Sequence, residues 1–242
     1  MKYKILNLAM FAIMIIVNFL ANFLPLNGKT TGELSDQYTN LFVPAGITFS
    51  IWGLIYLLIL GLIILQFNDA NNNIVKQVGW LFAISCFFNA LWIIAWHYEL
   101  LPLSLVLMIG LLISLILLSL KLIDYPVNLL KGTVGIYLGW ICIATIANVT
   151  AILVSINWSG WGISNENWAI TLISVGVLIS ILAIIKFNNP FIGLSAVWAF
   201  IGINIKRSDD YRTIVITAFF AIVIVGVFTG LAFAKEFMTS KS

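Results

Sequence analysis

Apolar runs of about 20 residues, the length at which a helix crosses the hydrocarbon core of a bilayer, recur along the chain between short polar segments. A soluble domain of 242 residues, 62% of them apolar and only 9% charged, would expose far too little charge to water. A transmembrane barrel needs strands that alternate apolar and polar residues, whereas these runs are apolar on every face. The sequence therefore predicts an all-α protein, a polytopic transmembrane helical bundle.

The polar segments divide the chain into eight predicted membrane-spanning helices. They lie at about 5–24, 44–67, 77–96, 103–123, 133–156, 167–186, 190–205 and 211–234. The seventh is short, and an alternative with seven spans makes it a re-entrant segment. The polar segment 25–43 is the longest connection, and we expect it to form a lid over one end of the bundle.

Most of the 12 Lys and Arg residues fall on the same side of the bundle as the N-terminus. This asymmetry predicts a multi-pass protein of the cell membrane with a cytoplasmic N-terminus, whose first apolar run is retained as a helix. The basic residues are scattered, so we expect the lipid bilayer and no nucleic acid as a partner. Gly226 and Gly230 are spaced as in a helix dimerisation motif, which indicates a homodimer weakly because the motif is common in lipid.

Groups that carry catalysis or hold metals are missing from the predicted helix interiors. No Asp, Glu, Arg or His lies near the middle of a predicted helix, and no phosphate-binding loop, catalytic triad or paired-histidine motif occurs. His97, the only histidine, falls at a helix end beside Glu99 and is interpreted as an interfacial polar cap. Cys86 and Cys142 lie inside apolar runs as small buried residues. We expect no enzyme, no catalytic residues, no metal and no required cofactor.

Aromatic and amide side chains instead form stripes at helical spacing on three predicted helices. The stripes are Thr48, Trp52 and Tyr56; Asn89, Trp92 and Trp96; and Trp140, Ala144 and Asn148, with Tyr137 and Thr145 beside the last. One such stripe indicates helix packing more often than a site, but three together favour a pocket for a flat hydrophobic ligand. Tryptophans near helix ends, namely Trp80, Trp96, Trp158, Trp161 and Trp168, are typical of an interfacial belt.

The order and spacing of these residues resemble the TspO/MBR family, the translocator proteins or tryptophan-rich sensory proteins. The motifs are Pro44-(x)7-Trp52-(x)3-Tyr56, Asn89-Ala-Leu-Trp92 and Tyr137-Leu-Gly-Trp140-(x)3-Ala144-Thr145-(x)2-Asn148. The chain departs from the family at Val43 and Ile136, where the family has prolines. It also departs at Thr48, where the family has a phenylalanine; in this chain a phenylalanine stands at the next position, Phe49. It looks like an extended, divergent member of bacterial type.

The resemblance implies a five-helix core over residues 1–157, with a pocket open toward the first loop, and about three additional transmembrane helices in 158–242. The ligand-binding residues that it implies are Trp52, Tyr56, Asn89, Trp92, Tyr137, Trp140, Ala144 and Asn148. It implies a ligand-binding or sensory membrane protein for porphyrin, other tetrapyrrole or sterol-like ligands. Porphyrin breakdown, proposed for the family, finds no support in these residues. A transporter or permease subunit for a small hydrophobic solute and a purely structural membrane subunit are the alternatives.

Overall fold

A computed structural model describes residues 2–24, 26–68 and 72–239, and within these ranges the chain is helical without any strand. Its α-helices, in order, are α1 Lys2–Phe23, α2 Thr31–Gln37, α3 Ile51–Leu65, α4 Asn72–His97, α5 Leu101–Lys121, α6 Leu129–Ser155, α7 Asn165–Phe187, α8 Phe191–Arg207 and α9 Arg212–Thr239. Short 3₁₀ helices occupy Leu26–Gly28, Gly46–Ser50 and Gly160–Gly162. The predicted all-α polytopic bundle is confirmed.

Among the described residues, 7 helices are long and apolar enough to cross a membrane, all but α2 and α8. The 17 residues of α8 span only about 25 Å, somewhat less than a hydrocarbon core. Asn189, just before α8, donates to the carbonyl of Lys131 at the start of α6. Arg207, at the other end of α8, donates to the carbonyl of Asn40 in the predicted lid. The helix therefore runs from one end of the bundle to the other, with most of its residues packed against protein and Leu194 and Ile205 exposed.

The alternation of helix direction defines two faces of the bundle. The proximal face holds the start of α1, the end of α3, the starts of α4, α6 and α8, and the end of α9. The lid face, at the other end, holds residues 26–45, which we call the lid, and the ends of α4, α6 and α8. Every candidate site described below is placed relative to these two faces.

The lid contains the short helix α2, which the sequence analysis did not predict. Thr30 and Glu33 form a capping box at its start: the Thr30 N–H donates to Glu33 Oε2 at 2.7 Å, and the Glu33 N–H donates to Thr30 Oγ1 at 3.3 Å. Leu34 of this helix is completely buried against the bundle. The polar composition of this segment gave no sign of a helix, which is stabilised by its capping box and by the burial of Leu34.

The second helix was predicted to begin at Pro44, but the structure differs there. Residues Gly46–Ser50 form a tighter 3₁₀ helix, and α3 follows from Ile51. This tight turn packs against α8, where the Ala45 N–H donates to the Gly202 carbonyl at 3.0 Å. A Cβ built on Gly202 would overlap the Thr48 hydroxyl, so only glycine allows so close an approach.

Helix α8 also packs closely along α6. A Cβ built on Gly139 would overlap the carbonyl oxygen of Ile192, and the Ser195 hydroxyl donates to the Ile136 carbonyl at 2.7 Å. At the proximal face, the buried Lys131 ammonium pairs with Glu236 of α9 at 2.9 Å. The C-terminal helices are thus attached to α6 along its length and to the lid at the opposite end.

Candidate ligand-binding site

A cavity of about 50 Å³ lies under the lid, between α3, α4 and α6, and we call it the lid cavity. Five of the eight predicted site residues line it: Trp52, Trp92, Trp140, Ala144 and Asn148. The Trp52 ring is at its centre, with ring centroids 5.8 Å from Trp92 in a stacked arrangement and 6.2 Å from Trp140 edge to face. The three helices therefore bring their tryptophans together as the stripes predicted.

The other three predicted residues, Tyr56, Asn89 and Tyr137, lie in the layer beneath the cavity. The Asn89 amide donates to the Tyr137 hydroxyl at 2.8 Å and accepts from the Asn18 amide at 2.7 Å. We call this buried chain of Asn18, Asn89 and Tyr137 the septum. Tyr56 stacks on Trp52 with ring centroids 5.7 Å apart. These residues support the tryptophans and do not line the lid cavity.

Trp96 and Phe49 line the cavity although neither was among the predicted site residues. Trp96 was assigned to the interfacial belt, but it is only 6% exposed and stacks on Trp92 at 6.2 Å. Trp96 lies on the same helical stripe as Asn89 and Trp92, and this spacing was the sequence feature that indicated a place beside Trp92. Phe49 lies edge-on to Trp140 at 6.0 Å, whereas Thr48 faces α8, because the 3₁₀ turn rotates these two residues relative to a regular helix.

Four buried N–H donors on residues that line the cavity lack hydrogen-bond partners within the described ranges. The Nε1 atoms of Trp92, Trp96 and Trp140 and the Nδ2 atom of Asn148 are buried and find no acceptor among the described residues. The oxygen of the Asn148 amide is already used, since it accepts from Ser104 at 3.2 Å. A buried donor left without an acceptor costs about 1–3 kcal/mol. The cavity is therefore suited to a ligand that carries hydrogen-bond acceptors.

His97 joins the lid to the end of α4. Its Nδ1 lies 3.1 Å from the Leu26 carbonyl, which can only accept, so Nδ1 carries the proton. Nε2 then accepts from the Thr31 hydroxyl at 3.0 Å. The Asn27 amide donates to the His97 carbonyl at 3.1 Å. The histidine is completely buried, and both ring nitrogens hold the lid in place.

Glu99 forms a second attachment of the lid, in the turn between α4 and α5. Its carboxylate accepts from the Tyr38 hydroxyl at 2.8 Å and from the Gln37 amide at 3.0 Å, with Lys29 at 3.7 Å. The Tyr38 hydrogen bond lowers the pKa of Glu99, with smaller contributions from Gln37 and Lys29. Burial raises the pKa of Tyr38 to about 12, and the hydrogen bond to the Glu99 carboxylate and its charge add to this effect.

The end of α8 forms a third attachment, which we call the latch. The Arg207 guanidinium donates through Nη2 to the Asn40 carbonyl at 2.6 Å and through Nε to the Leu41 carbonyl at 3.2 Å. Lys206 pairs with Asp36 at 2.5 Å on the more exposed side. The end of α8 thus holds the lid over the lid cavity.

A groove of about 320 Å³ lies between α1 and α3 beside the lid cavity. Thr31, Phe49 and Trp52 line both spaces, so these three side chains form the wall between them. Trp52 is only half-buried. A rotation of Trp52 and Phe49 would join the two spaces.

Comparison with known families identifies one match: a family model described as TSPO-like protein matches residues 4–231. The match runs from the first turns of α1 to α9 and so includes the C-terminal helices. No curated protein and no solved structure matches the chain. The division of the chain at residue 157 stays a prediction. Within the described ranges, no group of three or more His, Cys, Asp or Glu residues is arranged to hold a metal ion.

Proposed function

The chain belongs to the TSPO-like protein family, and we propose that this integral, multi-pass membrane protein binds or senses a flat hydrophobic ligand of the porphyrin or tetrapyrrole class. The observation that carries the proposal is the set of four unpaired N–H donors in the otherwise largely apolar lid cavity. Tetrapyrroles combine a flat apolar ring with peripheral carboxylates that accept hydrogen bonds. The cavity offers a counterpart for both parts.

In the proposed complex, the tryptophans contribute the flat apolar surfaces. Trp52 and Trp92 already stack on each other, and Trp140 presents its edge, so a planar ligand meets rings in both orientations. Ala144 leaves space one helical turn from Trp140. The Asn148 oxygen accepts from Ser104, and we infer that the unpaired amide N–H of Asn148 donates to a ligand carboxylate in the complex.

The lid cavity is too small for such a ligand in this conformation. Pockets for drug-sized ligands measure roughly 300–1,000 Å³, against about 50 Å³ here. We therefore infer that the ligand also occupies the groove of about 320 Å³ after Phe49 and Trp52 move. That groove lies between α1 and α3, so a hydrophobic ligand would enter from the lipid bilayer.

The remaining expectations about location and assembly are proposals as well. We place the N-terminus and the proximal face in the cytoplasm of a cell-membrane protein, because Lys and Arg are more frequent there. The lid face then lies outside the cytoplasm. Gly226 and Gly230 are both exposed on α9, and a Cβ on either meets open space, so they are available for the proposed homodimer.

The test is a titration of the detergent-solubilised protein with protoporphyrin IX, followed by the porphyrin's own absorbance. Trp140→Ala removes a ring and a donor, and we expect at least a tenfold loss of affinity, since 1.4 kcal/mol corresponds to about tenfold. Trp161→Ala is the matched control, because Trp161 is 78% exposed in the loop before α7 and should leave binding unchanged. Equal affinities of the two variants would contradict the proposed site.

A second titration tests the donors separately from the rings. Asn148→Ala should weaken protoporphyrin IX about tenfold or more, because a hydrogen bond to a charged group contributes about 1.5–3 kcal/mol. Octaethylporphyrin has a similar ring without carboxylates, so its affinity should change little. A loss of the same size for both porphyrins would show that Asn148 acts through packing and would overturn the role of its amide.

A further inference from the structure

A second cavity, of about 270 Å³, opens at the proximal face between α1, α3, α4, α5 and α6. Its walls are mainly aliphatic and aromatic, with Phe82, Leu115 and Val134 among them. An engineered apolar cavity of roughly 150 Å³ already binds benzene. We propose that this proximal cavity is a separate binding site for an uncharged, single-chain amphiphile with a hydroxyl head.

The septum separates the proximal cavity from the lid cavity. Tyr137 lines the proximal cavity, whereas Trp140, less than one turn further along α6, lines the lid cavity. The Tyr137 hydroxyl is bonded to Asn89, which is bonded in turn to Asn18. All three side chains are buried, and no residue lines both the proximal cavity and the lid cavity. The proximal site therefore does not depend on the function proposed for the lid cavity.

A buried polar atom of Asn7, a residue that lines the proximal cavity, indicates the head group. The Asn7 side chain is 4% exposed, and its Oδ1 has no partner in the described part of the chain. Its orientation is set by its neighbours: Asn7 Nδ2 donates to Gln66 Oε1 at 3.3 Å, and Gln66 Nε2 donates to the Lys4 carbonyl at 3.1 Å. The atom left over is an acceptor, so the complementary ligand group is a donor such as a hydroxyl.

The charge and shape of the cavity limit the rest of the ligand. None of the described side chains that line it is charged, which disfavours a carboxylate, phosphate or ammonium head. Asn7 and Gln66 lie near the proximal face, and the cavity reaches down α6 from Asn128 to Tyr137, about 13 Å at 1.5 Å per residue. A slender chain that stands along the bundle, with its hydroxyl at Asn7, fits this shape.

The test uses a decan-1-ol analogue with a photoreactive diazirine in its chain, and the full protein in detergent. Cross-links should concentrate on the α4 and α6 peptides that line the cavity. Unlabelled decan-1-ol should compete about three- to tenfold better than decyl methyl ether, which cannot donate a hydrogen bond. In Asn7→Leu this preference should disappear. Equal competition by the alcohol and the ether in the wild-type protein would overturn the role of Asn7.

A filling variant tests the cavity itself. Val134→Phe should reduce cross-linking at least tenfold, because the larger ring occupies the space beside Phe82 and Leu115. Val175→Phe is the matched control, since Val175 is exposed on α7 and lines neither cavity. Thermal unfolding identifies a filling variant that fails to fold, in which case the competition in wild type and Asn7→Leu decides. Cross-links spread over lipid-facing surfaces in the wild type would overturn the site.

Discussion

Replacing Arg207 with alanine should release the lid while the bundle stays folded. Arg207 is 9% exposed, and its guanidinium donates to the carbonyls of Asn40 and Leu41, which belong to the lid. The substitution removes both hydrogen bonds, and Arg207 itself does not line the lid cavity, although its partner Asn40 does. Helix α8 is held elsewhere by its contacts with α6, so the change acts mainly on the lid.

The magnitude follows from the two hydrogen bonds. A hydrogen bond to a charged group contributes about 1.5–3 kcal/mol, and water at the membrane face replaces part of it when the lid opens. We therefore expect the pair to stabilise the closed lid by about 2–3 kcal/mol, which is roughly 30- to 150-fold in the opening equilibrium. The neighbouring Lys206–Asp36 ion pair has side-chain exposures of 25% and 59%. Such a pair contributes only about 0–1 kcal/mol.

Amide hydrogen exchange measures this opening directly. The N–H groups of Phe42 and Val43 both donate to the Asn40 side-chain oxygen, at 3.1 and 3.0 Å, and are protected only while the lid is ordered. In Arg207→Ala their exchange should accelerate about 30- to 150-fold, whereas Lys206→Ala should change it by less than about fivefold. Equal acceleration in both variants, or none in Arg207→Ala, would refute the latch.

Three further predictions concern the lid, the α6–α8 contact and the septum. Because the pKa of Glu99 is lowered, its hold on the lid is complete above the ordinary value of 4.5 and is lost as the pH falls through the lowered value. Lid amide exchange should therefore show an acid-induced step that is smaller in Glu99→Gln, where the remaining acid response comes from Glu33, whose pKa its hydrogen bonds to Thr30 also lower. Gly139→Ala should lower the free energy of unfolding by about 1–3 kcal/mol through overlap with α8, whereas Gly53→Ala, which meets open space, should be neutral or stabilising. A double-mutant cycle of Asn18→Ala and Asn89→Ala should give a coupling energy of about 0.6–1.7 kcal/mol, measured by unfolding in detergent.

Helical periodicity was informative on α6 near the lid, although Tyr56, Asn89 and Tyr137, which also lie on helices, do not line the lid cavity. Trp140, Ala144 and Asn148 line the lid cavity in the predicted way, because helical periodicity alone places them on one side of α6. Periodicity failed at Thr48 and Phe49, where a 3₁₀ turn exchanges their directions. The choice between α and 3₁₀ geometry there depends on the packing of Gly202 from α8, which is distant in sequence.

The burial of a side chain near a helix end was harder to predict than the side of the helix on which it lies. Trp96 lies at the end of α4, a position typical of an interfacial tryptophan, yet the lid covers it. Whether a helix end meets water or protein depends on how the polar connection folds. Here it folds back because His97, Glu99 and Arg207 each bind it, and these three contacts join residues far apart in the chain.

The lid contacts and the unpaired donors have opposite effects on the stability of the closed lid. The contacts at His97, Glu99 and Arg207 stabilise the closed lid, whereas each buried N–H without an acceptor destabilises it by about 1–3 kcal/mol. Opening the lid admits water to these donors and so relieves that cost. A ligand that supplies acceptors would relieve it with the lid closed, and would therefore bind the closed state more tightly than the open one. In the proposed function, ligand binding is thus coupled to closure of the lid. Through the latch, the end of α8 contacts the lid only when the lid is closed.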